Sequence, residues 1–373
     1  MQRTTLLSPD PFAHIAPPRW EETIECGGGT IRLDWRTLTG GRSQGVQVLT
    51  VDTGKMRVVV LPTRGMGLWK AWCGEMHVGW DSPIAGPVHP AFVPLHEPSG
   101  VGWLEGFDEL LVRCGLESNG APEFDDLGRL RWPLHGRIAN LPATYLSVES
   151  DPSWHHVDVV GTVPETRVLV GDLELQTHYR FACNTTSIEV VDIVTNRSAR
   201  PATCQLLYHV NFGRPILEEG SRLVASAGNI RPRDDRAAQG LAGWDLCSGP
   251  TSGYAEQVYF ADPIPDASGR AVAAVVNADG GRGAAVAFDV AGLPHLTFWK
   301  NTAASQDGYV VGIEPATGLP NSRSIEEREG RLVKLGPGES RRFSLRIDIL
   351  TTPAAVQATL SRINSLRPAS NQF

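Results

Sequence analysis

Apolar residues in this chain come in short β-branched runs of strand length, with turn residues between them, from one end of the sequence to the other. Examples are Gly45–Val51, Arg57–Leu61, His156–Val163, Ser187–Thr195, Cys204–Val210, Ala271–Val276, Ala284–Phe288 and Phe343–Leu350. Runs of this length favour strands over helices. Asp52-Thr-Gly, Asn277-Ala-Asp-Gly-Gly and Gly336-Pro-Gly supply turns. The texture does not change along the chain, and no flexible linker, fixed-period repeat or low-complexity segment interrupts it. The expectation is an all-β fold in one domain spanning 1–373, with large antiparallel sheets packed face to face and few short helices. Residues 1–20 read as an N-terminal extension. Helical spacing predicts one helix over Trp103–Arg113, through Phe107, Leu110 and Leu111, and another over 353–366, through Val356, Leu360 and Ile363. Prolines at 83, 87, 90, 94 and 98 make 83–98 a long irregular loop rather than a central strand.

Composition narrows the class of partner. Hydrophobic residues are 41% and charged residues 20% of the chain, enough for a sizeable core, and the net charge is −7. No Lys/Arg stripe is present, which argues against nucleic acid and an anionic membrane as partners. No apolar run reaches the ~20 residues of a membrane span, and the first residues lack the apolar core of a signal peptide. Cysteines 26, 73, 114, 183, 204 and 247 are far apart and read as thiols in a cytoplasmic protein. P-loop, GxGxxG, GxSxG and HExxH motifs are absent, so no cofactor is called for. His89, His96, His135 and His209 lack tight metal-ligand spacing; no metal is assigned, although histidines of different strands are free to meet around one. A homodimer stays open.

Four windows offer chemistry. In Leu206-Leu-Tyr-His-Val-Asn-Phe-Gly213, strand alternation puts Leu207, His209 and Asn211 on one face and Leu206, Tyr208 and Val210 on the other. In Tyr309-Val-Val-Gly-Ile-Glu-Pro, Glu314 ends an apolar run before Pro315, where desolvation raises a carboxyl towards the range useful for proton transfer. Trp132-Pro-Leu-His-Gly-Arg-Ile-Ala-Asn140 brings His135, Arg137 and Asn140 beside Gly136, with Trp132 as an aromatic face. Arg64 in Pro-Thr-Arg-Gly-Met-Gly and Lys300 in Phe-Trp-Lys-Asn are further donors, and Glu256 a further carboxylate. Taken alone, each window also fits an ordinary structural role.

Together these segments resemble the aldose 1-epimerase-like (galactose mutarotase-like) proteins, and among them the divergent DUF4432 branch. The resemblance runs from about Leu49 to Leu350 and rests on Leu-Pro-Thr-Arg-Gly-Met-Gly (61–67), Pro-Leu-His-Gly-Arg-Ile-Ala-Asn-Leu-Pro-Ala (133–143), Leu-Tyr-His-Val-Asn-Phe-Gly (207–213) and Gly-Ile-Glu-Pro-Ala-Thr (312–317). It implies a β-supersandwich binding a small sugar or sugar derivative. It also implies catalysis by His209 as general acid and Glu314 as general base, with His135 as a substrate-binding histidine. Arg64, Arg137, Asn211 and Lys300 are expected to hold hydroxyls and set orientation. The family's Leu-His-Gly and Gly-Arg-x-Ala-Asn segments overlap here in 134–140, and either half is a candidate counterpart. The reaction expected is anomer interconversion. Isomerisation, epimerisation or elimination of a keto-sugar, and sugar binding without turnover, are alternatives on the same scaffold.

Overall fold

The computed structural model describes residues 1–10 and 19–367. Of the extension expected over 1–20, residues 11–18 lie outside the described residues, and Gln2–Leu7 is an edge strand. The short runs become strands of two large sheets. A nine-stranded sheet is ordered Gln2–Leu7, Tyr145–Ser150, His156–Arg167, Gly171–Ala182, Ser187–Asn196, Ser340–Leu350, Gly283–Asp289, Arg270–Val276, Arg222–Ala225. A 13-stranded sheet has as its main path Ala227–Pro232, Gln257–Pro263, His295–Asn301, Val310–Ala316, Ala202–Phe212, Leu111–Leu116, Gly67–Cys73, Arg57–Leu61, Gln47–Asp52, Gly29–Thr37, Arg19–Cys26. Neighbouring strands along both paths run antiparallel.

The inward faces of the two sheets share one core. Leu33, Val51, Val60, Leu206, Val210, Ile313 and Phe298 from the larger sheet meet Val159, Leu175, Val190, Val286, Leu345 and Ile347 from the smaller. The six cysteines are free thiols. No described helix is long and apolar enough to cross a membrane. Pro353–Leu366 is a helix, capped by the Thr352 hydroxyl accepting from the Ala355 N–H, and its Val356 and Ile363 cover the outer face of the nine-stranded sheet at Val272, Ala274 and Ala287.

The helix expected over Trp103–Arg113 does not form. Gly102–Gly106 is a single 3₁₀ turn, and Leu111–Leu116 is a strand. The spacing of Phe107, Leu110 and Leu111 comes from a loop entering a strand buried on both faces: Leu110 and Leu111 enter the inter-sheet core, while Phe107 and Trp103 pack on the outward face. Residues 83–98 form no strand and contain one 3₁₀ turn, Pro90–Phe92.

One polar network crosses the apolar core. Arg113 donates to both carboxylate oxygens of Asp192, to Tyr179 Oη at 2.9 Å and to the Met66 carbonyl at 2.8 Å; Tyr208 Oη donates to Asp192 at 2.8 Å. Arg113 and Tyr208 belong to the larger sheet, Asp192 and Tyr179 to the smaller. Burial opposes the Arg113 charge, but Asp192 beside it prevails and holds the guanidinium protonated. Removing one partner of such a pair leaves the other buried and uncompensated. Asp192→Ala is therefore expected to lower unfolding stability by about 3–5 kcal/mol in urea denaturation. A loss below about 1 kcal/mol, as for an exposed pair, would contradict this role.

Candidate functional site

The strands Ala202–Phe212 and Val310–Ala316 are neighbours, paired Leu207↔Ala316 and then Val210↔Ile313. Between those pairs the ladder opens, at the position of Pro315, which has no N–H to contribute. His209 and Glu314 face each other in that opening. Glu314 is thus within the strand, not at its end as its place before Pro315 suggests. Thr297 stands directly across from Glu314 on its other side. Gly312, two residues along on the same face, makes room: a Cβ there would stand 2.8 Å from Glu314 Oε1 and 3.0 Å from His209 Cε1.

His209 Nε2 and Glu314 Oε1 are 3.2 Å apart, and the residues are 4% and 3% exposed. Burial, reinforced by neighbouring His135, pushes the His209 imidazole well below its ordinary range; the hydrogen bond of its Nδ1 to Asn211 Oδ1 opposes this in part. Burial also pushes the Glu314 carboxyl well above the ordinary carboxylate range, with the charge of Glu256 adding to the effect and Arg233 opposing it. Burial thus works against both charged forms, the imidazolium of His209 and the carboxylate of Glu314.

Aromatic rings surround the pair. Phe107, Trp299 and His135 lie with ring centres 5.1, 5.2 and 5.8 Å from that of His209, and Trp103 packs edge-on against His135 at 4.6 Å. Trp299 donates to Glu256 at 2.7 Å, and Arg233 ties Glu256 to Asp234. Trp103 Nε1 and Thr297 Oγ1 are buried without a hydrogen-bond partner. The segment 80–107 covers this outward face through Trp80, Leu95, Trp103 and Phe107, packed on Val112, Cys114, Leu207, Val310 and Ala316. Open clefts lie beside Trp69 and Trp72 (about 560 Å³), beside Trp132 and Arg323 (about 540 Å³) and beside Lys300 and Tyr254 (about 580 Å³).

The structure sorts the remaining residues expected here. His135 reaches the pair. It adopts φ 58°, unusual for a non-glycine residue, followed by Gly136 at φ 70°, where a Cβ would collide with the Ser118 and Gly115 carbonyls. His135 Nδ1 is 3.0 Å from the Asn119 carbonyl, and burial lowers its pKa. Arg137, two residues on, turns away to Glu117 at 3.5 Å and Glu165 at 3.9 Å, so in the overlapped 134–140 segment the histidine half faces the pair. Trp132 lies under Arg323, apart from it.

Arg64 is not a free donor. It is 1% exposed, and its guanidinium is spent on Glu109, the Val88 and Gly106 carbonyls and Asn140, so it clamps the covering segment to the sheet. Lys300 alternates with Trp299 and leaves the other face of the strand, where its ammonium holds the Gly243 and Leu246 carbonyls. Asn211 lies beneath His209, fully buried, and contacts its ring rather than the open side of the pair. Trp103 and Phe107 escaped sequence reasoning because their spacing imitated a helix. Trp299 was within reach: strand parity puts it on the face opposite Lys300.

A family model described as a domain of unknown function, DUF4432, matches residues 43–349. The crystal structure of a Klebsiella pneumoniae subsp. pneumoniae protein, provisionally named an aldose 1-epimerase, is 35% identical, covers 99% of this chain and 96% of its own, and superposes with a TM-score of 0.94. A galactose mutarotase-like protein of Clostridium acetobutylicum is 13% identical over 89% of this chain and 98% of its own, with a TM-score of 0.59. An Escherichia coli K12 protein, also provisionally named an aldose 1-epimerase, is 15% identical over 82% and 99%, with a TM-score of 0.55. The last two show a shared fold alone. No curated protein matches the chain.

The crowding at Gly312 yields a direct expectation. In a crystal structure of Gly312→Ala, His209 Nε2 and Glu314 Oε1 should be parted beyond hydrogen-bond distance, about 3.5 Å. An unmoved pair would show that the glycine is not what makes room for it.

Proposed function

The chain belongs to the DUF4432 family, within the galactose mutarotase-like proteins, and on that premise we propose that it is a sugar isomerase of the aldose 1-epimerase type whose reacting groups are His209 and Glu314. The observation that carries this reading is the pair itself: two titratable groups 3.2 Å apart, buried in an aromatic setting, with pKa values displaced in opposite directions. The two oxygens of a cyclic hemiacetal that must exchange protons share one carbon. An acid and a base a hydrogen-bond distance apart suit them.

In the proposed reaction one member of the pair takes the proton of the anomeric hydroxyl. The other delivers a proton to the ring oxygen. The C1–O5 bond breaks as C1=O1 forms, and the open-chain aldehyde turns about C1–C2. The ring oxygen then adds to the other face of C1 while both protons return. The pair needs one mobile proton between its members throughout, which a His–Glu pair sharing a single proton holds. Trp103, Phe107 and Trp299 supply apolar surface for the C–H face of a sugar, and His135 Nε2 offers a hydrogen bond.

Polarimetry or one-dimensional NMR of freshly dissolved aldoses tests the reading. Catalysed equilibration of at least one aldose is expected, reduced about 10²–10⁴-fold in His209→Ala and in Glu314→Gln. Equilibration at the buffer rate across a broad aldose panel would refute mutarotation. Deuterium from solvent appearing on carbon would instead point to keto-sugar chemistry. Binding without turnover, altered only in affinity by the two substitutions, would point to a sugar binder.

A further inference from the structure

We infer that the Thr297 hydroxyl holds a substrate hydroxyl, the one vicinal to the acetal oxygen that Glu314 meets, and so helps select which sugar reacts. This rests on the reading that His209 and Glu314 react with a sugar. The long polar side chains best suited to holding hydroxyls are committed elsewhere. Arg64 binds Glu109, Asn140 and the Val88 and Gly106 carbonyls. Arg137 turns to Glu117 and Glu165, and Lys300 holds the Gly243 and Leu246 carbonyls. Asn211 donates to the Glu109 and His209 carbonyls and turns its oxygen to the His209 ring. A sugar over the pair must find other partners.

Two polar groups in the same enclosure have none. Thr297 Oγ1 and Trp103 Nε1 are without a hydrogen-bond partner among the described residues, and their residues are 0% and 1% exposed. Buried polar atoms in folded proteins are paired in the large majority of cases. Two unmet groups beside one reactive pair therefore call for a ligand that brings oxygen atoms with it. Trp103 can only donate, whereas Thr297 donates and accepts, as a sugar hydroxyl does. Trp103 packs on His135 and Phe107, two of the rings that pack on His209. Thr297 stands next to Glu314 instead.

Strand order sets the geometry. His295–Asn301, Val310–Ala316 and Ala202–Phe212 are consecutive in the larger sheet, so Glu314 stands between Thr297 and His209. Directly opposed residues of antiparallel strands place their Cβ atoms about 4.5–5.5 Å apart on one face. Trp299, two residues on from Thr297 and therefore on the same face, packs against His209, so Thr297 shares the face that carries the pair. In a pyranose the two acetal oxygens share C1, and each has a vicinal hydroxyl on its outer side: O2 beside O1, and O6 beside O5. With the acetal oxygens over His209 and Glu314, the one over Glu314 has its vicinal hydroxyl on the side away from His209, towards Thr297. That hydroxyl is O2 where Glu314 meets the anomeric oxygen and O6 where it meets the ring oxygen.

A double-mutant cycle between protein and sugar tests this. It compares kcat/KM of wild type, Thr297→Val and Thr297→Ser on a responsive aldose and on its 2-deoxy and 6-deoxy counterparts. Thr297→Val keeps the shape and removes the hydroxyl. It should lose about 10–100-fold on the parent aldose, where a buried sugar hydroxyl is left unpaired, and less than about threefold on one of the two deoxy sugars, where both partners are gone. Thr297→Ser, which returns the hydroxyl, should recover most of the loss on the parent. Equal losses on all three sugars, or no loss on any, would overturn the inference. Thr297→Val should also unfold at an unchanged or higher urea concentration, because the hydroxyl it removes has no partner within the protein. A lower midpoint would give that hydroxyl a structural role and overturn the inference. Wild type that equilibrates no aldose would refute the proposed function and the inference with it. Catalysis by wild type with equal losses on the three sugars in Thr297→Val would refute the inference alone.

Discussion

The ion pair of Arg113 with Asp192, set in the dry space between the sheets, fixes the frame on which the site is built. A charge pair in such a place is stable only when its hydrogen bonds are complete. Tyr179, Tyr208 and the Met66 carbonyl complete these. Tyr208 and Arg113 belong to the two strands that also carry His209 and Val112, and alternation makes one residue's inward anchor the next residue's outward orientation. A one-residue slip would exchange Tyr208 and His209 between faces. It would strand the Asp192 carboxylate in the core.

On the outward face a second buried guanidinium has a different task. Arg64 draws together the Val88 and Gly106 carbonyls, Glu109 and Asn140. A proline-rich segment with almost no regular structure is thereby fixed over the sheet. Pro315 opens the ladder beside His209 and Glu314, and Gly312 leaves the volume the two side chains fill. The result is a small polar centre inside an aromatic shell, where neither member of the pair is stable as an isolated charge. Passing protons to and from a bound molecule, rather than releasing them to solvent, is what such a centre suits.

How far the sequence disclosed this depends on the kind of information each residue carries. Alternation and run length are local, and each of the eight runs named from them overlies a strand; Arg57–Leu61 is found with the expected bounds. Parity also put His209 on the face opposite Tyr208. What residue type does not disclose is where a side chain spends its hydrogen bonds. Arg64, Arg137, Asn211 and Lys300 are all plausible partners for a hydroxyl by chemistry. The fold commits them to loop carbonyls, to Glu117 and Glu165, to the His209 ring and to the 243–246 turn. Trp103 and Phe107 were hidden for a related reason: helical spacing and a loop packed on a two-faced strand leave the same apolar pattern.

A crystal structure with a sugar bound tests the central claim, that His209 and Glu314 meet the reacting oxygens, most directly. The anomeric and ring oxygens should lie within hydrogen-bond distance of His209 Nε2 and a Glu314 carboxyl oxygen, with the sugar ring against Trp103, Phe107 or Trp299. A sugar seated instead in a cleft beside Trp72, Trp132 or Lys300, away from the pair, would contradict it.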